Sequence, residues 1–438
     1  MDLEKLGTFR VAACDLNGQM RGKRLPNDYA SKLSNGGVRM PLSALVLDIW
    51  GEDSLKSPLV FESGDGDGSM VPTERGAVPM PWLQTPSALV PMWMFSDNGS
   101  AFEVDPRHAL ARVLDRFSKR GWQVIAATEM EFYLVDDSNG QLQAPINPLS
   151  GRPLHNNAVL SVSQLDAFDA FFTELYEACE MMGIAVQSAT SEVGLGQFEV
   201  SLNHCDAMRA ADDAWLFKTL VKGLARKHQM AATFMAKPYH EDAGNGLHVH
   251  FSVIDEDGKN IFDDGSDSGS DLLHQAVAGC LAAMTASTLV FAPHSNSYQR
   301  ITPGAHAPTG VCWAYENRTA ALRIPGGPPA ARRIEHRVAC GDINPYLMLS
   351  VVLGAALAGI EDSLSPPAPI TGNAYDQHMP QLASDWTKAM SLFESDPMIA
   401  RILPGTLIEN FCMTKQQEYD KLQSIPEDEH WKVYLETV

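Results

Sequence analysis

Four segments of this chain alternate apolar with ionisable side chains at a period of two, and that pattern constrains the fold more than any other feature. In a strand, successive side chains point to opposite faces. Glu129, Glu131 and Tyr133 therefore share one face of the strand expected over Gln123–Val135, opposite Met130, Phe132 and Leu134. The same alternation sets Gln197, Glu199 and Ser201 against Phe198, Val200 and Leu202. It also sets His248, His250 and Ser252 against Leu247, Val249, Phe251 and Val253, and it groups Arg333, Glu335 and Arg337. An outer, solvated face would tolerate lysine and threonine freely, whereas these faces carry carboxylates, imidazoles, guanidiniums and small polar groups. The four faces are expected to converge on one site.

Carboxylates crowded into one cleft raise one another's pKa, and a divalent cation resolves the conflict. Oxygen donors outnumber imidazoles here, which favours magnesium or manganese over zinc. A second feature is local charge. Between Arg300 and Arg337 stand Arg300, Arg318, Arg323, Arg332, Arg333 and Arg337 against only Glu316 and Glu335, with no lysine, in a chain whose net charge is −21. The planar guanidinium fork suits carboxylate and phosphate. Metal-clustered acids beside an arginine cluster fit phosphoryl transfer.

The rest of the sequence sets the frame. A chain of 438 residues exceeds what one core usually closes, so two packed domains are expected. The first hundred residues read as a small β-rich module: strands at Phe9–Cys14, Leu42–Trp50 and Ala88–Phe95, with a turn at Asn17-Gly18. Asp105 is placed to cap a helix starting at Pro106, whose Leu110, Val113, Leu114 and Phe117 fall on one face. A further helix is expected over Ser163–Met182, closed by Gly183. The uncharged run Ala276–Pro293 is diluted by Gly279, Thr285, Ser287 and Thr288 and reads as a buried helix, not a membrane span.

The acid excess repels phosphate backbones and anionic lipid, so neither nucleic acid nor membrane is an expected partner. Seven cysteines without Cys-x-x-Cys spacing read as reduced thiols, and the N-terminus has no basic and apolar leader, so a cytoplasmic protein is expected. Asp255-x-Asp257 fails the calcium-loop pattern at Lys259 and Asn260. Gly194-x-Gly196 lacks the third glycine of a dinucleotide turn.

These segments, in order, resemble the glutamine synthetase superfamily over nearly the whole chain. The residues that carry the resemblance are Thr128-Glu129-Met130-Glu131-Phe132, Ser191-Glu192 through Gly196-Gln197-Phe198-Glu199, and Gly244-Asn245-Gly246-Leu247-His248-Val249-His250. Asn296-Ser297-Tyr298-Gln299-Arg300, Glu316-Asn317-Arg318, Leu322-Arg323-Ile324-Pro325 and Arg333-Ile334-Glu335-His336-Arg337 continue it. The runs at Asp15-Leu16-Asn17-Gly18, Phe234–Pro238 and Asn344–Leu347 look closest to the γ-glutamylputrescine synthetase branch.

The resemblance implies an α+β protein: an N-terminal β-grasp domain over 1–103 and a larger glutamine synthetase-type catalytic α/β domain over 104–438. It also implies a homo-dodecamer of two hexameric rings with active sites between subunits. Carried over by motif, Glu131, Glu192 and Glu199 would hold one metal, and Glu129, His248 and Glu335 a second, as Mg2+ or Mn2+. His250, Ser252, Arg323 and Arg333 fall at ATP-side positions, Gly244, Arg300 and Arg337 at glutamate-side positions, and Arg318 at the phosphoryl-transfer arginine. The implied chemistry phosphorylates the glutamate γ-carboxylate with ATP and then lets an amine attack the acyl phosphate.

Where ammonia-using relatives carry a flap glutamate, this chain has His306, and an imidazole can accept a proton from an attacking amine. Together with the branch resemblance, this implies a γ-glutamyl amide of putrescine or another small primary amine as the product. The alternatives are an ammonia-using glutamine synthetase and a methylamine or ethanolamine ligase. A metal-dependent hydrolase built on His248-x-His250 would leave the arginine cluster without a purpose, and a non-catalytic relative would be expected to lose metal ligands.

Overall fold

The structure, a computed structural model, describes residues 2–156, 158–305 and 307–438. A first sheet contains β1 (Thr8–Cys14), β2 (Met20–Pro26), β3 (Val38–Pro41), β4 (Asp67–Pro72), β5 (Val78–Pro79) and β6 (Ala88–Phe95). Its order is β2-β1-β6-β4-β3, with β5 on β6 and with β1 and β6 parallel. The Asn17-Gly18 turn joins β1 to β2, and Gly18 takes the positive φ of 81° that glycine allows without strain. Leu42–Trp50 is not a strand: Leu42–Val46 form a single 3-10 turn after Pro41 and the rest is irregular. Leu45, Val46 and Ile49 are nevertheless buried, so the apolar run encodes burial rather than extension.

Helix α1 (Pro106–Ser118) starts as expected, with the Asp105 carboxylate accepting from the Arg107 N–H. The large sheet follows, built from β7 (Gln123–Val135), β10 (Val186–Ser191), β11 (Gln197–Leu202), β14 (Leu247–Ile254), β15 (Trp313–Tyr315), β16 (Leu322–Ile324) and β17 (Ile334–His336). Its order is β10-β11-β7-β14-β17-β16-β15, and β12 (Cys205–Asp206) and β13 (Ala231–Thr233) pair with β7 beside that path. A separate hairpin joins β8 (Ile146–Asn147) to β9 (Arg152–Pro153).

One face of the large sheet is apolar: Met130, Phe132, Phe198, Val200, Val249 and Phe251 are almost wholly buried. Helices α2 (Val162–Ala167), α3 (Asp169–Met182), α4 (Ala207–Lys227), α5 (Asp271–Met284), α6 (Thr288–Phe291), α7 (Ser297–Arg300) and α8 (Pro345–Glu361) follow in chain order. The Ser163–Met182 helix is thus two helices, broken where Phe168 leaves helical geometry, and Gly183 closes the second at φ 67°. Beyond them lie α9 (Trp386–Ser395), α10 (Pro397–Ile402), α11 (Gly405–Leu422) and α12 (His430–Leu435). Among the described residues, no helix is long and apolar enough to cross a membrane.

Helix α11 docks on the first sheet through buried charge. Lys415 and Glu418 are fully buried and paired at 2.9 Å. Lys415 Nζ also donates to Asn17 Oδ1 at 2.5 Å, and Asn17 Nδ2 donates to Glu418 Oε1 at 2.7 Å. Beside them Lys421 and Gln417 both donate to the Asp48 carboxylate.

Candidate active site

Strand register brings the polar faces together. On β7, Glu131 lies opposite Glu199 of β11, and Glu129 lies between Ser201 of β11 and His248 of β14. His250 lies opposite Glu335 of β17, which lies opposite Arg323 of β16. Neighbouring strands, drawn from positions more than two hundred residues apart, therefore present one continuous polar surface.

Two cavities open on that surface, and Glu129 borders both. The first, of about 710 Å³, is lined by Ser252, His250 and Arg333 together with Gln187, Ser188 and His204. The second, of about 660 Å³, holds Glu131, Glu192 and Glu199, His248, and the arginines Arg300, Arg318, Arg323 and Arg337. Arg323 lines the second cavity. Gly244 lines the second cavity too.

The hydrogen bonds define the protonation pattern. Arg333 Nε donates to His250 Nδ1 at 3.2 Å, which leaves the His250 Nε2–H to donate to Glu129 Oε1 at 2.9 Å. His248 Nδ1 lies 3.1 Å from Glu129 Oε2. Burial alone would raise the Glu129 carboxyl, but the two histidines outweigh it and hold Glu129 well below the ordinary carboxylate range. Glu335 is fully buried, which also raises a carboxyl, yet His248 at 3.8 Å, Arg337 at 2.5 Å and Arg323 hold it at about 2.

The remaining acids behave oppositely. Burial, compounded by Glu129, Glu131 and Glu192, pushes Glu199 up to about 9. Burial and the Glu131 charge push Glu192 up to about 7. Like charges in this cleft cannot all ionise without added positive charge. Ligating atoms of Glu129, Glu199 and His248 lie within 4.8 Å of one another, as do those of Glu129, His250 and Glu335. A donor set of oxygens with two imidazoles, short of positive charge, fits a hard divalent cation. Glu129 belongs to both groupings, and His248 Nδ1 also lies 3.8 Å from Glu335 Oε1.

The arginine wall is held rigidly. Arg300 is buried and donates through Nη1 to the Val338 carbonyl at 2.9 Å. A Cβ at Gly246 would meet Arg300 Nη2 at 2.5 Å, and the Gly246 N–H donates to Glu131 Oε2 at 2.6 Å, so glycine lets this backbone pass between both groups. Arg337 Nε is buried without a hydrogen-bond partner among the described residues. Arg318 sits on a turn at the cavity mouth. His306 lies outside the described residues.

Sequence reasoning missed Tyr375, whose ring lines the second cavity while its hydroxyl donates to the Ala307 carbonyl at 2.9 Å. It also missed Gln187, Ser188 and His204 in the first cavity. No periodicity marks Tyr375 or His204. Gln187 and Ser188 stand on β10, the strand that leads into Glu192, and that adjacency is a usable signal.

The fold and this donor set agree with what the chain is similar to. Residues 103–434 match the family described as glutamine synthetase, catalytic domain. The chain is 36% identical to γ-glutamylputrescine synthetase of Escherichia coli strain K12, over 92% of its own length and 85% of that protein's. It is 30% identical to the glutamate–isopropylamine ligase of a Pseudomonas species, over 100% of its length and 97% of that protein's. A solved GmaS–ADP complex superposes with a TM-score of 0.85 at 26% identity, covering 98% of this chain and 97% of the other. The chain belongs to the glutamine synthetase family. It is an ATP-dependent carbon–nitrogen ligase, and enzymes of this family use divalent metal.

Proposed function

We propose that this ligase joins the glutamate γ-carboxylate to a small primary alkyl amine, putrescine first, through a γ-glutamyl phosphate. The similarity to γ-glutamylputrescine synthetase over 92% of the chain carries this reading. In the first step a glutamate γ-carboxylate oxygen attacks the γ-phosphorus of ATP and ADP leaves. In the second the amine nitrogen attacks the acyl carbon, phosphate leaves, and the nitrogen gives up a proton.

His250, Ser252 and Arg333 are assigned to the nucleotide side, and Arg323 to the phosphate that passes between the cavities. Gly244, Arg300 and Arg337 are assigned to glutamate, a role supported by their common place in the lining of the second cavity. Arg318 is assigned to the phosphoryl group in flight. Glu131, Glu192 and Glu199 would hold one ion, and Glu129, His248 and Glu335 another. When bound, such ions neutralise the charge on the transferred phosphoryl group. The assignment of His306 as the amine's proton acceptor rests on sequence alone. The β-grasp reading of residues 1–103, the catalytic domain over 104–438, the dodecamer of two hexameric rings and the cytoplasmic location belong to the same proposal.

The test is phosphate release with ATP, glutamate and magnesium across ammonium, methylamine, ethanolamine, isopropylamine and putrescine. An alkyl amine should give the highest kcat/KM. A higher kcat/KM for ammonium than for every amine overturns the reading in favour of a glutamine synthetase.

A further inference from the structure

The second cavity is lined by glutamates and arginines alike but is apolar at one side of its mouth. Val159, Leu160 and Val193 line it alongside Glu192 and Glu199. All three are among the most exposed large apolar side chains of the described residues, at 55%, 72% and 40%. Scattered exposed leucines need no explanation, but three converging on the rim of a charged pocket do.

The backbone at this rim is strained and held. Leu160 has φ 55°, a conformation that a bulky side chain adopts only at a cost. The surroundings enforce it. The Leu160 N–H donates to the Ser191 carbonyl at 2.8 Å, the Ser161 N–H donates to Ser191 Oγ at 2.8 Å, and Ser191 Oγ donates to the Ala158 carbonyl at 2.6 Å. Ser191 immediately precedes Glu192. One residue thus ties the apolar rim to the strand end that carries Glu192, so the two are fixed relative to each other.

We infer that Val159, Leu160 and Val193 form a wall for the alkyl body of the acceptor amine, and that this wall sets the amine chain length the enzyme prefers. The inference rests on the amine-ligase reading and deepens it. An ammonium ion has no carbon to place there, whereas each methylene of an alkyl amine would leave water for this surface.

The test compares the wild type with Leu160→Asn, because asparagine tolerates a positive φ and removes only the apolar surface. Both are assayed with ammonium, methylamine, propylamine, butylamine and putrescine, with the KM for glutamate and ATP and the sedimentation of each protein as companions. Wild-type kcat/KM should rise by up to about four-fold per added methylene. In Leu160→Asn that slope should flatten towards unity, with ammonium turnover within about two-fold of wild type. Val193→Thr, equal in shape but carrying a hydroxyl, should flatten it partly, and it decides the matter if Leu160→Asn does not fold.

Equal slopes in the wild type and both variants overturn the wall while an amine preference in the wild type leaves the ligase reading standing. A change of sedimentation with an equal loss for every amine also overturns it, and identifies the patch as a contact between copies. Ammonium winning in the wild type removes the ligase reading and the wall with it.

Discussion

Two clusters of charge, one buried and one half-buried, face opposite problems. At the junction of α11 with the first sheet, Lys415 and Glu418 are wholly buried, yet each has a partner of opposite sign and a hydrogen bond to Asn17. On the large sheet, Glu131, Glu192 and Glu199 crowd together, and the two histidines are already engaged with Glu129. The first cluster is complete within the chain; the second is complete only with something bound. Matched buried charge fixes how elements dock, whereas unmatched buried charge marks where a ligand belongs.

Removing charge should therefore damage the two regions differently. Glu131→Gln should lower kcat roughly a hundred-fold or more while leaving the thermal midpoint of the metal-free protein unchanged or raised. Full activity at ordinary magnesium would break the contrast. Lys415→Met should do the reverse: a loss of about 3–5 kcal/mol in stability, because Glu418 is left buried and unpaired. Denaturant unfolding measures it, and a Lys415→Met, Glu418→Leu double variant should recover most of the loss. Arg337→Lys keeps charge but loses the fork, so the glutamate KM should rise about ten-fold with the fold intact.

The smallest effect is in pH. Glu192 and Glu199 have folded pKa values of about 7 and about 9 against an ordinary 4.5, so near neutral pH the folded form holds protons that the unfolded chain has released. Their contribution is fully present below pH 4.5 and is lost as pH rises through those folded values. Glu335, held at about 2, works the other way, and its contribution is lost only as pH falls towards 2. The metal-free thermal midpoint should thus fall by a few degrees between pH 6 and 9. Magnesium should remove that slope, and its stabilisation should grow with pH. A flat metal-free profile would show that these carboxylates are not in conflict.

Much of this architecture is legible in the order of the residues alone. The strands Gln123–Val135 and Ala88–Phe95 have the bounds their alternation or apolar run predicts, and the polar faces that alternation isolates do meet. Period-two patterning reports a face directly, and register then carries that face across the sheet. Leu42–Trp50 misleads because burial and extension share a composition; its apolar side chains reach the core from a 3-10 turn. The single helix expected over Ser163–Met182 misleads because the buried stripe runs on across the break at Phe168. At the site, Arg323 faces the second cavity because β16 lies next to β17 and the guanidinium is drawn to Glu335, a pairing between strands that spacing within one strand does not reveal. Tyr375 arrives from a single 3-10 turn between long irregular stretches, and no spacing in the sequence points to it.

Glu129 borders both cavities, and each of its oxygens faces a different histidine. A single carboxylate cannot reorient for one neighbour without changing what it offers the other. Whatever occupies one side therefore alters affinity on the other, and thermodynamic reciprocity requires the effect to be equal in both directions. The coupling between nucleotide and amino-acid affinities would then be written less in any moving segment than in the two faces of one side chain.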